Sequence, residues 1–155
     1  MTPCMEEEIR VRAGDVDDAP AVADVWLRSR TASIPSMPAP THPEEAVRDW
    51  FSGVVLPTLD VWVASSGDGH IVGLLVLDGH WVDQLYVDPD WFGRGSGSRL
   101  LALAKRLRPT GLDLWTFASN RGARRFYERH GFSAIDSTDH DNEEAAPAIH
   151  YRWVP

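Results

Sequence analysis

The sequence predicts an α/β fold (α+β in the sense of a mixed sheet), with secondary-structure elements in the order βααβββαβαββ. Seven short runs have the composition or alternation of β-strands, and four segments repeat apolar residues at helical spacing. Three strands follow one another in the middle of the chain, whereas helices separate others. This order predicts a mixed sheet with helices on both faces.

The N-terminal part predicts one strand and two helices. Residues 8–12 alternate polar and apolar side chains, which is typical of a strand. Asp15 is suited to cap a helix whose apolar stripe runs to Trp26. Three prolines within residues 34–40 exclude a regular helix there, and Pro43 then begins a short second helix. The inward face of that helix comprises Val47, Trp50 and Phe51.

The middle of the chain predicts three strands and a helix. Residues 59–64 and 71–77 are separated by a polar turn and form a hairpin. Residues 81–87 form a further strand after the turn Asp78-Gly79. A helix over about residues 96–106 follows.

The C-terminal part predicts the remaining elements. A strand over residues 112–117 leads to a helix capped by Ser119 or Asn120, and Gly131 is placed as its left-handed terminator. Two closing strands, at about residues 133–137 and 149–154, flank an acidic loop at residues 139–144.

The composition predicts a single domain spanning residues 1–155. Apolar residues make up 43% of the chain and charged residues 25%. Cys4 is the only cysteine, which excludes an internal disulfide, and no apolar run approaches the roughly 20 residues of a transmembrane helix. The first residues lack the basic and apolar regions of a secretory signal. We therefore expect a cytoplasmic protein.

The charge of the chain restricts its partners. The formal net charge of −8 weighs against nucleic acid, whose phosphates require a basic face. We expect neither a nucleic-acid nor a membrane partner. We also expect no metal, because the histidines do not have the spacing of metal ligands.

The most informative segment runs from Leu85 to Leu101. A strand enters a turn at residues 88–90, and Gly93, Gly95 and Gly97 then precede an apolar helical pattern. Glycine allows positive φ angles and close approach of a ligand, and the start of a helix presents unpaired N–H groups. This pattern predicts a phosphate-binding loop.

Two other phosphate-binding motifs do not fit this segment. A P-loop needs a lysine directly after its last glycine, but the next lysine is Lys105. A Rossmann fingerprint needs a third glycine where this chain has Ser98 or Leu100, depending on the starting glycine.

Three motifs resemble the GNAT acetyltransferase superfamily, and the resemblance spans nearly the whole chain. The loop FGRGSG (92–97) is similar to the family's Gln/Arg-x-x-Gly-x-Gly/Ala motif, with LYVDP (85–89) directly upstream. Residues 120–132, NRGARRFYERHGF, resemble its second cofactor-side motif. Phe92 departs from the usual Gln or Arg, but backbone N–H groups do not depend on that side chain.

The resemblance implies the GNAT acyl-CoA N-acyltransferase fold with acetyl-CoA as co-substrate. The N–H groups of residues 93–98 would bind the pyrophosphate, and the strand edge at Leu85 and Val87 would bond the pantetheine amides. The implied cofactor-binding residues are Leu85, Tyr86, Val87, Gly93, Arg94, Gly95, Ser96, Gly97, Ser98, Asn120, Arg124 and Tyr127.

The resemblance also implies the catalytic groups. The Val87 N–H would polarise the thioester carbonyl. Tyr127 matches the family's proton donor to the departing sulfur, and a phenol with a pKa of about 10 suits a thiolate. Asp83 is a candidate general base because strand alternation puts it in phase with Leu85 and Val87, whereas Gln84 points the other way.

The sequence leaves the base and the acceptor open. His42 and the acidic loop are alternative bases, or a water held by one of these groups. His42, Glu143 and Glu144 are candidate contacts to the acceptor amine. The stiff proline-rich stretch favours a small-molecule amine. A protein N-terminal or lysine acetyltransferase is an alternative, as is a non-catalytic acyl-CoA sensor, which Phe92 supports and Tyr127 opposes. Homodimers are common in the family, and the sequence does not decide this point.

The seven tryptophans receive two interpretations. Trp81 and Trp91 border the cofactor strand and loop and are candidate ligand contacts. The other five, Trp26, Trp50, Trp62, Trp115 and Trp153, are interpreted as core residues.

Overall fold

A computed structural model describes residues 9–138 and 146–155 of the chain. Within these residues the element order is the predicted one. The strands are β1 (Arg10–Ala13), β2 (Asp60–Ser65), β3 (Ile71–Asp78), β4 (Trp81–Val87), β5 (Leu112–Phe117), β6 (Ser133–Thr138) and β7 (Ala148–Trp153). The helices are α1 (Ala19–Ala32), α2 (Glu44–Trp50), α3 (Leu56–Thr58), α4 (Ser96–Leu107) and α5 (Arg121–Arg129). The mixed α/β fold class is confirmed.

The start of α1 follows from the side chains that cap it. Asp15 accepts a hydrogen bond from the N–H of Asp17 at 2.8 Å, and Asp18 accepts one from the N–H of Asp15 at 2.9 Å. This reciprocal capping supports a 3₁₀ turn (Val16–Asp18) that leads directly into α1.

The second predicted helix is longer than the sequence suggests. α2 continues through a π-helical turn (Phe51–Val55) into α3. Gly53 and Pro57 look like helix breakers, but Gly53 faces open space and Pro57 lies at the start of α3, where its missing N–H costs little. Phe51 and Val55 are fully buried, so apolar packing outweighs the weak local propensity.

The strands of the sheet run in the order β1-β2-β3-β4-β5-β7-β6. All neighbouring pairs are antiparallel except β4 and β5. These two parallel strands are in register at one pair, Trp81 opposite Asp113. Beyond that pair they diverge, and a cleft opens between their carboxyl-terminal halves.

Helices cover both faces of the sheet, as predicted. Leu75 and Leu77 of β3 pack with residues of α4 and α5, whereas Leu74 and Val76 pack with residues of α1 and α2. Alternate residues of a strand face opposite sides, so the two clusters form separate cores.

The end of α5 has the predicted glycine terminator. Gly131 has a φ of 88°, and the N–H groups of Gly131 and Phe132 donate to the carbonyls of Glu128 and Tyr127. These two hydrogen bonds form a Schellman motif, which turns the chain so that Phe132 packs in the core.

Candidate active site

The cleft between β4 and β5 contains a cavity of about 760 Å³. Its walls come from both strands, the glycine loop, α5, the C-terminal part of α1 and the proline-rich segment. The cavity therefore joins the predicted phosphate-binding loop to the second predicted cofactor motif.

The glycine loop has the backbone geometry expected of an anion-binding site. Gly93 and Gly95 have φ angles of 77° and 87°, and Gly95 is the N-cap of α4. The first helical bond is donated by Arg99 to the carbonyl of Gly95, so helix geometry leaves the N–H groups of Ser96, Gly97 and Ser98 without intrahelical acceptors. These three residues line the cavity.

Two further observations show that the loop has room and polarity for a ligand. A Cβ at Gly93 or Gly95 would meet no atom within 4 Å, so the space in front of the loop is open. The Ser96 hydroxyl is buried and has no hydrogen-bond partner among the described residues. A diphosphate would fit this combination of free N–H groups, open space and an unsatisfied hydroxyl.

The free edge of β4 faces β5. The N–H of Asp88 donates to the carbonyl of Val72 on β3 at 2.8 Å. Because backbone groups alternate along a strand, the N–H groups of Val87 and Leu85 point to the opposite edge, into the cleft. Leu85, Tyr86 and Val87 all line the cavity.

Tyr127 lies in the wall of the cavity, on α5. Its ring is 8% exposed and packs against Phe126, Phe132 and Tyr151. Its hydroxyl has no hydrogen bond to any described residue. Burial, with a smaller contribution from Tyr86, raises the pKa of Tyr127 well above its ordinary value, so the phenol stays protonated near neutral pH.

Asp83 lies at a β-bulge. Gln84 pairs with Val76 and Val82 pairs with Leu77, so Asp83 is an extra residue on β4. Val82 and Leu85 consequently contact the same core, and simple alternation does not give the direction of Asp83. Gln84 faces α1, where its side-chain oxygen accepts a bond from Trp26 Nε1 at 3.0 Å.

The carboxyl of Asp83 lines the main cavity and keeps contact with solvent. Desolvation by the surrounding protein raises the pKa of Asp83, and the hydrogen bond from Gln84 opposes that rise. A carboxylate with a raised pKa is a better proton acceptor than an ordinary one.

Most of the predicted cofactor residues meet in the cavity, and two do not line it. Arg94 places its guanidinium 4.6 Å from the ring centre of Trp91. Arg124 donates from Nε to the hydroxyl of Tyr151 at 3.2 Å, which directs it away from the cleft. Asn120 lines the cavity and accepts a bond from the N–H of Ala123, the helix cap predicted for it.

The predicted acceptor contacts are not gathered at the site. His42 is exposed and does not line the cavity. Glu143, Glu144 and the rest of the acidic loop lie outside the described residues. From the proline-rich segment, Met37 lines the cavity, and the Ser119 hydroxyl donates to the carbonyl of Ser36 at 2.6 Å.

Sequence reasoning missed several residues of the cavity. Ser29 of α1 and Ser33, the residue that caps its C-terminus, are four residues apart and both line it. The sequence signal that could have identified them is the presence of small polar residues on the otherwise apolar helical stripe that includes Trp26. Other lining residues missed are Thr116, Phe117, Phe126 and Arg129.

Polar side chains of β5 and β7 form a network beside Trp81 and Asp113, the pair that joins the two halves of the sheet. Asp113 accepts a bond from Arg152 Nε at 2.9 Å, and one of its oxygens lies 2.7 Å from Nε2 of His150. Burial alone would raise the pKa of Asp113, but the bonds from His150 and Arg152 outweigh it and lower the pKa.

The core interpretation is wrong for Trp115. Its side chain is 45% exposed and lies beside His150, on the face of β5 opposite the one that packs in the core with α4 and α5. Trp91 lines the main cavity, as expected for a candidate ligand contact.

Comparisons with known proteins agree with this architecture. The family model described as an acetyltransferase (GNAT) domain matches residues 57–134, which include the cleft strands, the glycine loop and α5. The chain belongs to the GNAT acetyltransferase family. The family match and the relatives named N-acetyltransferases support an acetyltransferase enzyme. They do not support the alternative of a non-catalytic acyl-CoA sensor.

One relative of this GNAT acetyltransferase is the peptidyl-lysine N-acetyltransferase YjaB of Salmonella typhimurium. It is 30% identical over 136 residues, which cover 86% of this chain and 90% of the relative. The apo-form YjaB of Escherichia coli, solved in solution, superimposes with a TM-score of 0.77 at 25% identity and covers 94% of this chain and 97% of its own.

A third similarity concerns the fold alone. The PaiA N-acetyltransferase of Thermoplasma acidophilum, solved in complex with coenzyme A, has a TM-score of 0.71 at 15% identity. The match covers 96% of this chain and 99% of that one.

Proposed function

We propose that this acetyltransferase moves the acetyl group of acetyl-CoA to a primary amine by direct attack in a ternary complex. One observation carries the proposal: a single cleft is lined by the start of α4 in the glycine loop, by Tyr127 and by Asp83. A diphosphate at one end and a thioester at the other fit that arrangement.

The donor would be held mainly by the backbone. The N–H groups of Ser96, Gly97 and Ser98 bind the pyrophosphate at the positive end of the α4 dipole. The edge of β4 at Leu85 and Val87 then pairs with the pantetheine amides as an added strand would. This mode of binding fits a chain with a net charge of −8, since it does not need a basic surface.

The chemistry needs one base, one acid and one oxyanion donor. Asp83, directly or through a water, takes a proton from the substrate ammonium, and the free amine attacks the thioester carbonyl carbon. The Val87 N–H stabilises the negative charge on the oxygen. The carbon–sulfur bond then breaks, and the Tyr127 O–H gives its proton to the leaving thiolate. The nitrogen loses its second proton, which restores the Tyr127 phenol, and Asp83 releases the first proton to solvent. The products are an acetamide and coenzyme A.

Two classes of acceptor are supported by different observations. The proline-rich segment, through Met37, narrows the cavity and favours a small-molecule amine. The names of the relatives, peptidyl-lysine N-acetyltransferases, favour a lysine side chain of a protein. Both acceptors are aliphatic primary amines, so the same acid and base serve either one.

The experiment measures thiol release from acetyl-CoA by the purified full chain with a panel of primary amines and lysine peptides. With an active acceptor, Tyr127→Phe should lower kcat roughly 100-fold or more, because the leaving thiolate loses its proton donor. Tyr151→Phe is the matched control: it also removes a hydroxyl from this aromatic cluster, but outside the cavity lining. An unchanged rate for Tyr127→Phe would contradict the mechanism, and no release with any amine would contradict the function.

A further inference from the structure

A second, smaller cavity of about 270 Å³ adjoins the main cleft. Its lining residues are Asp78, Trp81, Val82, Asp83 and Trp115. Three of them, Val82, Asp83 and Trp115, also line the main cavity. The two cavities therefore meet at the β-bulge, where the candidate base lies.

Two indole rings line the small cavity, and both contact the same imidazole. The ring centres of Trp81 and Trp115 lie 5.0 Å and 5.1 Å from that of His150, at interplanar angles of 31° and 32°. His150 is in turn fixed by its 2.7 Å contact with Asp113. Trp115 is held by this contact while 45% of its side chain stays exposed, so part of the ring is accessible to a ligand.

The small cavity is acidic. The Asp78 carboxylate makes no hydrogen bond or ion pair with any described residue, and that of Asp83 receives one long bond, 3.3 Å, from the Gln84 amide. Nearby Asp113 is different, because its carboxylate is contacted by Arg152, His150 and His80. Among the described residues, the two carboxylates that line the small cavity are therefore not in an ion pair, and the neighbouring cationic groups contact Asp113 instead.

We propose that the acceptor enters through this small cavity as an unbranched alkylammonium, with its charge held by Asp78 and Asp83 and its methylene chain against the indole rings of Trp81 and Trp115 that line the cavity. The inference rests on the proposed function and specifies its substrate class. Indole faces attract both cations and methylene groups, and the carboxylates select the charged amine over a neutral one.

The position of Asp83 links recognition to reaction. Asp83 lines both cavities, so its carboxylate would pair with the ammonium, accept its proton and leave the free amine at the junction with the main cleft. Asp78 lines the small cavity alone and is therefore a recognition residue rather than the base.

The kinetic test uses three acceptors: a linear aliphatic diamine, a peptide whose single amine is a lysine side chain, and an aromatic amine that is neutral at pH 7. Asp78→Asn and Trp115→Leu should each raise KM for the alkylammonium acceptors about tenfold and leave KM for acetyl-CoA unchanged. Asp78→Asn should not change turnover of the neutral amine, because Asp78 lines only the small cavity. Asp49→Asn removes the same charge from an exposed site on α2 and serves as the control, with no expected change.

Comparison of the diamine with the peptide shows whether the alkylammonium group belongs to a small molecule or to a protein lysine. A higher kcat/KM for the peptide assigns the cavity to a protein lysine, and a higher value for the diamine assigns it to a small molecule. The inference would be overturned if the neutral amine were turned over as fast as the alkylammonium acceptors, or if KM for those acceptors were unchanged in both variants. Either result would leave the acetyltransferase function intact.

A binding test decides the inference even if no amine is turned over. Calorimetry on the full chain with coenzyme A compares an alkyl chain ending in trimethylammonium with its neutral tert-butyl isostere. We expect binding of the cation, about tenfold weaker in Asp78→Asn, and at least tenfold weaker binding of the isostere. Equal affinity for the two compounds would overturn the cation site. Absent thiol release would separately overturn the proposed function.

Discussion

The carboxylate of Asp113 on β5 lies 2.7 Å from Nε2 of His150 on β7. Asp113 is also the residue that faces Trp81 where β4 and β5 meet, and it is 5% exposed. One buried carboxylate thus connects the pairing of the two halves of the sheet with the ring that supports both tryptophans of the small cavity.

Replacing Asp113 with Asn should destabilise the fold by about 1–3 kcal/mol at pH 7, because the acceptor of the bonds from Arg152 and His150 loses its negative charge. The pKa of Asp113 is lowered in the folded chain, so its stabilisation is present above the unfolded value of about 4 and is lost as pH falls through the folded pKa. Urea unfolding at pH 7 and at successively lower pH measures both effects. A difference from wild type that does not shrink in acid would contradict the electrostatic explanation.

Asp83→Asn should lower kcat roughly 100-fold with an ammonium acceptor, because the proton acceptor is lost. In the wild type, kcat/KM should rise with pH as Asp83 ionises, with an apparent pKa above the ordinary value of about 3.9. A pH–rate profile on a fixed acceptor measures this. If the acidic limb of the profile is the same in Asp83→Asn, a different group is the base.

Asp83→Asn should lower the activity of the enzyme but should not lower its stability. Because the folded chain holds the Asp83 proton more tightly than the unfolded chain does, stability falls as pH rises through this range. Asp83→Asn removes that penalty, so its melting temperature at pH 7 should be at or above that of the wild type. A clear loss of stability at pH 7 would show that the carboxylate makes contacts beyond those described here.

Gly95→Ala and Gly97→Ala form a matched pair in the phosphate loop. Gly95 has a φ of 87°, so alanine there should cost about 1–2 kcal/mol of stability and weaken coenzyme A binding by displacing the start of α4. At Gly97 a Cβ would lie 3.4 Å from Phe126 Cζ, an ordinary contact, and stability should stay within about 0.5 kcal/mol of wild type.

Urea unfolding and calorimetry with coenzyme A measure both members of the pair. Equal losses of stability in the two variants would contradict the conformational explanation, since only Gly95 needs the left-handed region.

The sequence predicted elements whose determinants are local. The Asp15 cap, the Gly131 terminator and the strand 81–87 depend on neighbouring residues, and the structure has each of them. The glycine loop was recognisable for the same reason, because its φ angles and its helix start are properties of a few consecutive residues.

Features that depend on distant partners were not predictable in the same way. The bulge at Asp83 depends on register against β3, and the turn of Arg124 toward Tyr151 depends on packing between α5 and β7. Trp115 was assigned to the core because its strand is apolar, but its side chain is 45% exposed and contacts His150 of β7. The single-domain organisation and the cytoplasmic location stay predictions.

The single register pair between β4 and β5 has a consequence for the empty enzyme. Beyond that pair the facing edges of β4 and β5 share no register pairs, so backbone groups of β4 face the gap. In the proposed binding mode the donor pairs with this edge of β4, and we therefore expect coenzyme A to stabilise the part of the sheet where its own strands leave each other unpaired.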